Sequence, residues 1–263
     1  MIYTILNTPI LTLNVICNSV KMAKKILKSR YYKYPSLQEI RELSDGIPTY
    51  GRLEFKATSI VPFALIEKHS LQEANKISAL NNWGRVLSNK LFSLHETHLF
   101  LNTHYNRGFK ENVSDNNQRE LVDNILFRYF SETYYYFFFS TLDVMAHILN
   151  EYYDLNLLEK KVEFKDFLLR QVKNEDIRKK LLEFNSAIEG TREKRNSFTH
   201  RFPENEKDFR TKINIEKERT MLSCGIGNMT SNQEFIANIT ESSDLLKRLI
   251  DDLKLGLKYP AGN

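Results

Sequence analysis

The sequence predicts an all-α protein: a helical bundle with a mixed elaboration at its N-terminal end. Only 9 Gly and 6 Pro stand among 263 residues, too little punctuation for a many-stranded sheet. Residues 117 to 153 carry the longest helical rhythm, with Leu121, Ile125, Phe130, Phe137, Leu142, Met145 and Leu149 apolar around much of one circumference. Ser70, Asn117 and Asn174 each stand where a helix N-cap would open a periodic stretch.

In chain order, residues 1 to about 68 mix apolar runs with Pro9, Pro35, Pro48 and Pro62, which predicts irregular structure with a few strands and short helices. The apolar run Met1 to Ser19 lacks a basic leader and is broken by Asn7, Asn14 and Asn18, so it reads as a core strand or helix rather than a signal peptide. Ser70 with Glu73 predicts a capping box and a helix to about Tyr105, ended by Asn106-Arg107-Gly108 and followed by a polar loop to about 116. The helix of 117 to 153 must lie centrally, because it has no fully polar face to give to water. After the segment Phe164 to Val172, Asn174 with Glu175 and Asp176 predicts one helix running on to Pro203. A charged, poorly periodic stretch follows, broken at Cys224 to Asn228. Thr230 with Gln233 is then expected to cap a last amphipathic helix to about Leu257, and Lys258 to Asn263 to fray. Two regions are expected: residues 1–116 as an N-terminal extension packed on the core, and residues 117–263 as the helical domain.

Composition narrows the function. A formal charge of +5 and a pI near 9.0 favour approach to a polyanion, since Lys and Arg contacts to phosphate gain from counterion release. Cys17 and Cys224 are too few and too far apart for a disulfide framework or a zinc cluster, and no apolar run is long enough for a membrane span. A cytoplasmic protein with no membrane, metal or cofactor requirement is expected.

The informative residue is Arg195. From Asn174, apolar residues fall at Ile177, Leu181, Phe184 and Ile188, and the same rhythm then lands on Thr191, Arg195 and Phe198. A guanidinium thus takes a place on the buried stripe, where it needs a partner or an incoming anion. Five residues on stands His200, completing Arg195-Asn196-Ser197-Phe198-Thr199-His200 just ahead of Pro203. On an ideal helix Arg195 and His200 point about 140° apart, so sharing a site requires the Arg to bend round or the helix to loosen before Pro203.

This Arg-Asn-x-x-x-His pattern near a helix end resembles the signature of the HEPN superfamily, many of whose members are metal-independent ribonucleases. The resemblance covers about residues 117 to 257 and implies an HEPN-like helical bundle with Arg195, Asn196 and His200 as catalytic residues. On the central helix, Tyr136, Ser140, Asp143 and His147 recur at steps of four, three and four and form one polar stripe. Phe139-Ser140-Thr141-Leu142-Asp143 resembles the helix beside the motif in some HEPN proteins, so Asp143 would pair with or orient Arg195, with Ser140 and His147 in support. A buried Ser–Asp–His hydrogen-bond network explains the stripe equally well.

The chemistry follows from the side chains. Cleavage of RNA by its own 2′-OH needs a base for the hydroxyl proton and a cation for the charge building at phosphorus. His200 suits the first role and Arg195 the second, with Asn196 orienting the phosphate or the His. Arg192, Lys194 and Arg201 are candidates for holding the RNA backbone. The resemblance implies 2′,3′-cyclic phosphate ends and a homodimer whose two motifs share one cleft, its interface built from the aromatic central helix. A toxin or phage-defence effector is the expected role, and a toxin would bring an antitoxin partner. The alternatives are a non-catalytic HEPN-like module that binds RNA or a nucleotide, and a helical interaction protein in which Asp143 satisfies Arg195. His95, His98 and His104 lack acidic or Cys companions for a recognisable metal site and are expected to be packed or solvated; Gly225-x-Gly227 reads as a turn.

Overall fold

The computed structural model describes residues 31–53, 55, 70–216, 219–224, 227 and 229–257. The expectations for Met1 to Ser19, for Gly225 and for the tail from Lys258 lie outside them.

Ser36 opens α1 (Leu37–Ser44) with a full capping box: its hydroxyl accepts from the Glu39 amide at 3.2 Å, and the Glu39 carboxylate accepts from the Ser36 amide at 2.8 Å. No residue of α1 is buried, so its apolar area cannot hold it in place. Arg107 does so instead, its Nε and Nη2 donating to the two Glu39 oxygens at 2.8 and 3.1 Å and its Nη1 to the Lys33 carbonyl at 2.7 Å. This forked pairing is the main reason the Glu39 carboxyl is lowered to about 2.

Two long helices form the centre. α2 (Leu71–Asn106) begins on Ser70, whose hydroxyl accepts from the Glu73 amide, and α3 (Gln118–Tyr152) begins on Asn117 with a complete capping box. The pairs His104–Asp123, Lys90–Phe137 and Trp83–His147 run in opposite senses along the two helices and fix them as antiparallel neighbours. As the sequence predicts, α3 is central. Phe127, Tyr134, Tyr135, Phe138, Leu142 and Met145 are all fully buried on it. Most of its aromatic side chains therefore serve the core, and only Tyr129 and Tyr136 remain strongly exposed as material for the interface expected of this helix.

Beyond α3, a four-residue helix α4 (Asp166–Leu169) leads to Asn174, which caps α5 (Glu175–Ala187) by accepting from the Ile177 amide at 3.1 Å. The single helix expected from Asn174 to Pro203 is two. Ile188, fully buried, leaves helical geometry at φ −91° and ψ 12°, and α6 (Glu189–His200) starts anew. The apolar rhythm survives the break because Ile188 ends one stripe and Thr191, buried at 3% exposure, continues it.

The stretch after Pro203 contains an antiparallel hairpin, β1 (Thr211–Glu216) with β2 (Arg219–Cys224), in register Ile213↔Leu222. It is a small appendage on an all-α bundle. Gly227 follows at φ +77°, a left-handed conformation that Gly adopts without a steric penalty. The last helix, α7 (Asn232–Gly256), is capped by Ser231 with Glu234, one residue later than Thr230 with Gln233. The Thr230 hydroxyl donates instead to Glu204 at 3.1 Å.

Buried polar groups tie the core helices together. The Tyr134 hydroxyl on α3 lies 3.1 Å from the Ile239 carbonyl and 3.0 and 2.7 Å from the Ser242 and Ser243 hydroxyls of α7. Ser243 in turn lies 3.2 Å from His98 Nδ1 on α2. Burial, with His95 nearby, lowers the His98 imidazole to about 4, so it is neutral at physiological pH. His95 faces the Pro48 carbonyl at 3.3 Å, and His104 pairs with Asp123 at 2.7 Å in the interior. The three histidines thus have separate partners. Among the described residues no cluster of three or more His, Cys, Asp or Glu could hold a metal, and no helix is long and apolar enough to cross a membrane.

Candidate active site

The Ile188 break decides where the motif residues point. It restarts the helix so that Thr191 and Ser197 are buried while Arg192, Arg195 and Asn196 turn toward α3 and the loop ahead of α4. There they line a cavity of about 340 Å³ with Phe139, Leu142 and Asp143 of α3 and Glu163, Phe164 and Lys165 of the loop.

Phe139 forms the apolar base of this site. The guanidinium carbons of Arg192 and Arg195 lie 5.3 and 5.7 Å from its ring centre, so both cations rest on an aromatic face. Their partners differ. Arg192 donates to Asn185 at 2.7 Å and to Glu189 at 3.2 Å, whereas Arg195 donates from Nη1 to Asn196 Oδ1 at 3.1 Å. Among the described residues no carboxylate lies within ion-pair distance of Arg195. Its half-buried charge is held by a ring face and an amide, an arrangement that leaves its forked donors available to an anion.

Asp143 opens onto the same cavity. Removal from water is the largest influence on its carboxyl and raises its pKa; Glu163 adds to this, while the Phe164 amide, Arg195 and His147 oppose it. Asp143 therefore lies near enough to Arg195 to be felt electrostatically, without forming the expected pair. Ser140 is half-buried and outside the cavity lining. His147 stacks on Trp83, with rings 4.2 Å apart and 4° from parallel, and burial lowers its pKa against the pull of Glu159, Asp143 and Glu151. No hydrogen bond joins Ser140, Asp143 and His147, so the buried network offered as an alternative is not formed.

His200 is the last residue of α6 and is exposed. The helix stays regular up to it, and Arg201 then departs in extended geometry, at φ −130° and ψ −171°. The loosening expected ahead of Pro203 thus begins one residue too late to swing His200 toward Arg195. Within the chain the cavity gathers Arg195, Asn196, Arg192 and Asp143 and leaves His200 outside. Of the other basic residues, Lys194 turns to the opposite side, donating to Glu204 at 3.3 Å with its ammonium 5.1 Å from the Phe235 ring centre, and Arg201 is exposed.

Among the described residues three cavities are larger, about 540 Å³ between Thr49–Arg52 and α2, about 450 Å³ beside Lys254 and about 380 Å³ beside Glu204 and Arg210, but none contains a motif residue. The chemistry of the lining, rather than size, selects the site on α6. A family model of Cthe2314-like HEPN domains matches residues 83–254, well over half of the chain and all of the motif helix. The chain belongs to the Cthe2314-like HEPN family. The match begins inside α2 and ends inside α7, so the HEPN bundle takes in much of the helix that pairs with α3. No curated protein and no solved structure matches the chain.

Phe139, Glu163, Phe164 and Lys165 are cavity residues that the sequence reading did not assign. For Phe139 a signal existed: it lies one residue from Ser140 on the helix already singled out. The loop residues carried none, because they reach the site only through the return of the chain after α3.

Proposed function

We propose that this HEPN chain is a metal-independent endoribonuclease. A base takes the 2′-OH proton, the 2′ oxygen attacks the adjacent phosphorus, and the bond to the 5′ oxygen breaks as that oxygen gains a proton. The products are a 2′,3′-cyclic phosphate and a 5′-hydroxyl. The observation that carries this reading is Arg195: a half-buried guanidinium in an open cavity beside Asn196, with no carboxylate at ion-pair distance among the described residues. A purely structural Arg at this position would need a neutralising partner, and Asp143 does not take that place.

The exposed His200 fits a composite site. Two copies joined about a two-fold axis through the ends of α6 would set the partner's His200 beside the Arg195 cavity and supply both an acid and a base. A toxin or phage-defence effector in the cytoplasm is the role this activity suits. RNA incubated with the protein in EDTA tests the reading: cleavage with cyclic phosphate ends is expected, and its loss in Arg195→Ala and His200→Ala.

One observation favours a second reading. Because His200 lies outside the cavity within a protomer, the same geometry suits a non-catalytic module that binds RNA or a nucleotide phosphate on Arg195. That module would lose binding in Arg195→Ala, keep it in His200→Ala and cleave nothing.

A further inference from the structure

The polar stripe of α3 passes the Arg195 cavity, onto which its Asp143 opens. Tyr136, Ser140, Asp143 and His147 fall within about 60° of one another around the helix, and the rise of 1.5 Å per residue sets Tyr136 and His147 about 16 Å apart with Asp143 between them. α2 lies on one side. Trp83 and Lys90, seven residues apart and so on one face of α2, reach over the two ends of the stripe: Trp83 stacks on His147, and the Lys90 ammonium lies 5.7 Å from the Tyr136 ring centre and 5.6 Å from that of Phe137. On the other side α6 brings Arg192 and Arg195 to the cavity beside Asp143.

Tyr136 is 63% exposed, although it stands one turn from Phe139 of the cavity on the central, largely buried helix α3. A lone exposed Tyr needs no explanation. Here, however, the ring is flanked by a cation that has no carboxylate at ion-pair distance among the described residues, and Asp143, seven residues on along the same face, opens onto the cavity of Arg195. An aromatic face beside a Lys, in line with an Arg, matches what a nucleotide presents: a base to stack and a phosphate to neutralise. Glu163 is paired with Lys165, so Asp143 is the carboxyl that disfavours phosphate between the Lys90 and Arg195 sides, which leaves those two sides for the backbone. A duplex keeps its base faces stacked and cannot offer one to Tyr136; a single strand can.

We propose that the face of α3 between Lys90 and Arg195 seats a single strand of RNA leading into the Arg195–Asn196 cavity, with one base stacked on Tyr136 and a neighbouring phosphate against Lys90. The identity of the ligand rests on the nuclease reading; the placement of Tyr136 and Lys90 does not. Neither residue is catalytic, since both stand at the approach to the cavity and position the strand.

The test uses the full chain carrying His200→Ala, in EDTA, binding a short fluorescent single-stranded RNA followed by anisotropy. Adding Tyr136→Ala should weaken binding roughly tenfold and Tyr136→Phe should restore it, because stacking needs only the ring. Adding Lys90→Ala should lower the slope of log affinity against log salt by about 0.7, the signature of one lost phosphate contact on a single strand. Affinity for a duplex of the same sequence, and the melting temperature, should not change with Tyr136→Ala. Tight strand binding by the parent variant that is indifferent to both Tyr136→Ala and Lys90→Ala overturns this proposal and leaves the nuclease reading standing. Absence of any RNA binding by the parent overturns both.

Discussion

Arg195 and Asp143 line the same cavity of about 340 Å³ without forming an ion pair, and Arg195 rests instead on the ring of Phe139. A buried pair would have closed the site upon itself. The open arrangement leaves the guanidinium without a carboxylate at ion-pair distance among the described residues, beside a carboxyl whose pKa burial raises.

Replacing Arg195 should separate activity from stability. Arg195→Ala removes one hydrogen bond to Asn196 and a ring contact, so unfolding free energy should change by no more than about 1 kcal/mol, while RNA cleavage should fall about a hundredfold or more. Arg195→Lys should restore little, because an ammonium has neither the planar face that lies on Phe139 nor the two-pronged donor set. Thermal melts beside initial cleavage rates give both quantities.

Asp143→Asn should raise the melting temperature at neutral pH. Its carboxyl has a folded-state pKa above the unfolded value, so the native state is penalised for keeping it charged once pH exceeds the folded value. Below the unfolded value of about 3.9 both states are protonated and the penalty disappears. The stabilising effect of Asn should therefore be present at pH 7 and absent near pH 3, as melts across that range will show. The same substitution should lower cleavage if Asp143 orients Arg195.

His98 should set part of the acid sensitivity. Its folded pKa of about 4 lies below the ordinary 6.5, so the native state binds fewer protons than the unfolded chain between these values. Stability is full above about pH 6.5 and falls as pH drops toward 4, by roughly 3 kcal/mol at the lower limit. His98→Gln should flatten this part of the pH profile while losing some stability at pH 7 through the disturbed contact with Ser243. Urea melts at pH 7 and pH 5 measure the difference.

Arg107→Ala should release the N-terminal part of the described chain without unfolding the bundle. Arg107 joins α2 to Glu39, Lys33 and Tyr34, and α1 buries no residue of its own. Limited proteolysis should then cut between Tyr31 and Ser44 far faster than in the parent, with the helices from α2 onward protected. Because the Glu39 carboxyl is held at about 2, the parent should acquire the same sensitivity only as pH falls from about 4.5 toward 2.

The helices were legible where caps and rhythm agreed. Ser70, Asn117 and Asn174 each accept the amide hydrogen bonds that their positions in the sequence imply. Arg195 was legible as an anomaly in an apolar stripe, and it lines the cavity beside Asn196 and Asp143. The break at Ile188 was not, since an Ile interrupts a helix only when the fold requires it, and here the turn lets α5 and α6 each follow the core. The hairpin was hidden because residues 217 and 218 are Lys and Glu rather than the Asn-Gly or Asp-Gly of a two-residue β-turn. The position of His200 outside the cavity depends on where a helix ends to within one residue, which side-chain spacing cannot fix.

The most direct test is the chemistry of the ends. Purified protein is incubated with a defined RNA in EDTA and the fragments are analysed for their termini, with His200→Ala in parallel. A 2′,3′-cyclic phosphate and a 5′-hydroxyl from the parent, with intact RNA from His200→Ala, is the predicted result. RNA left whole by the parent, or cut equally well without the imidazole, would contradict the account.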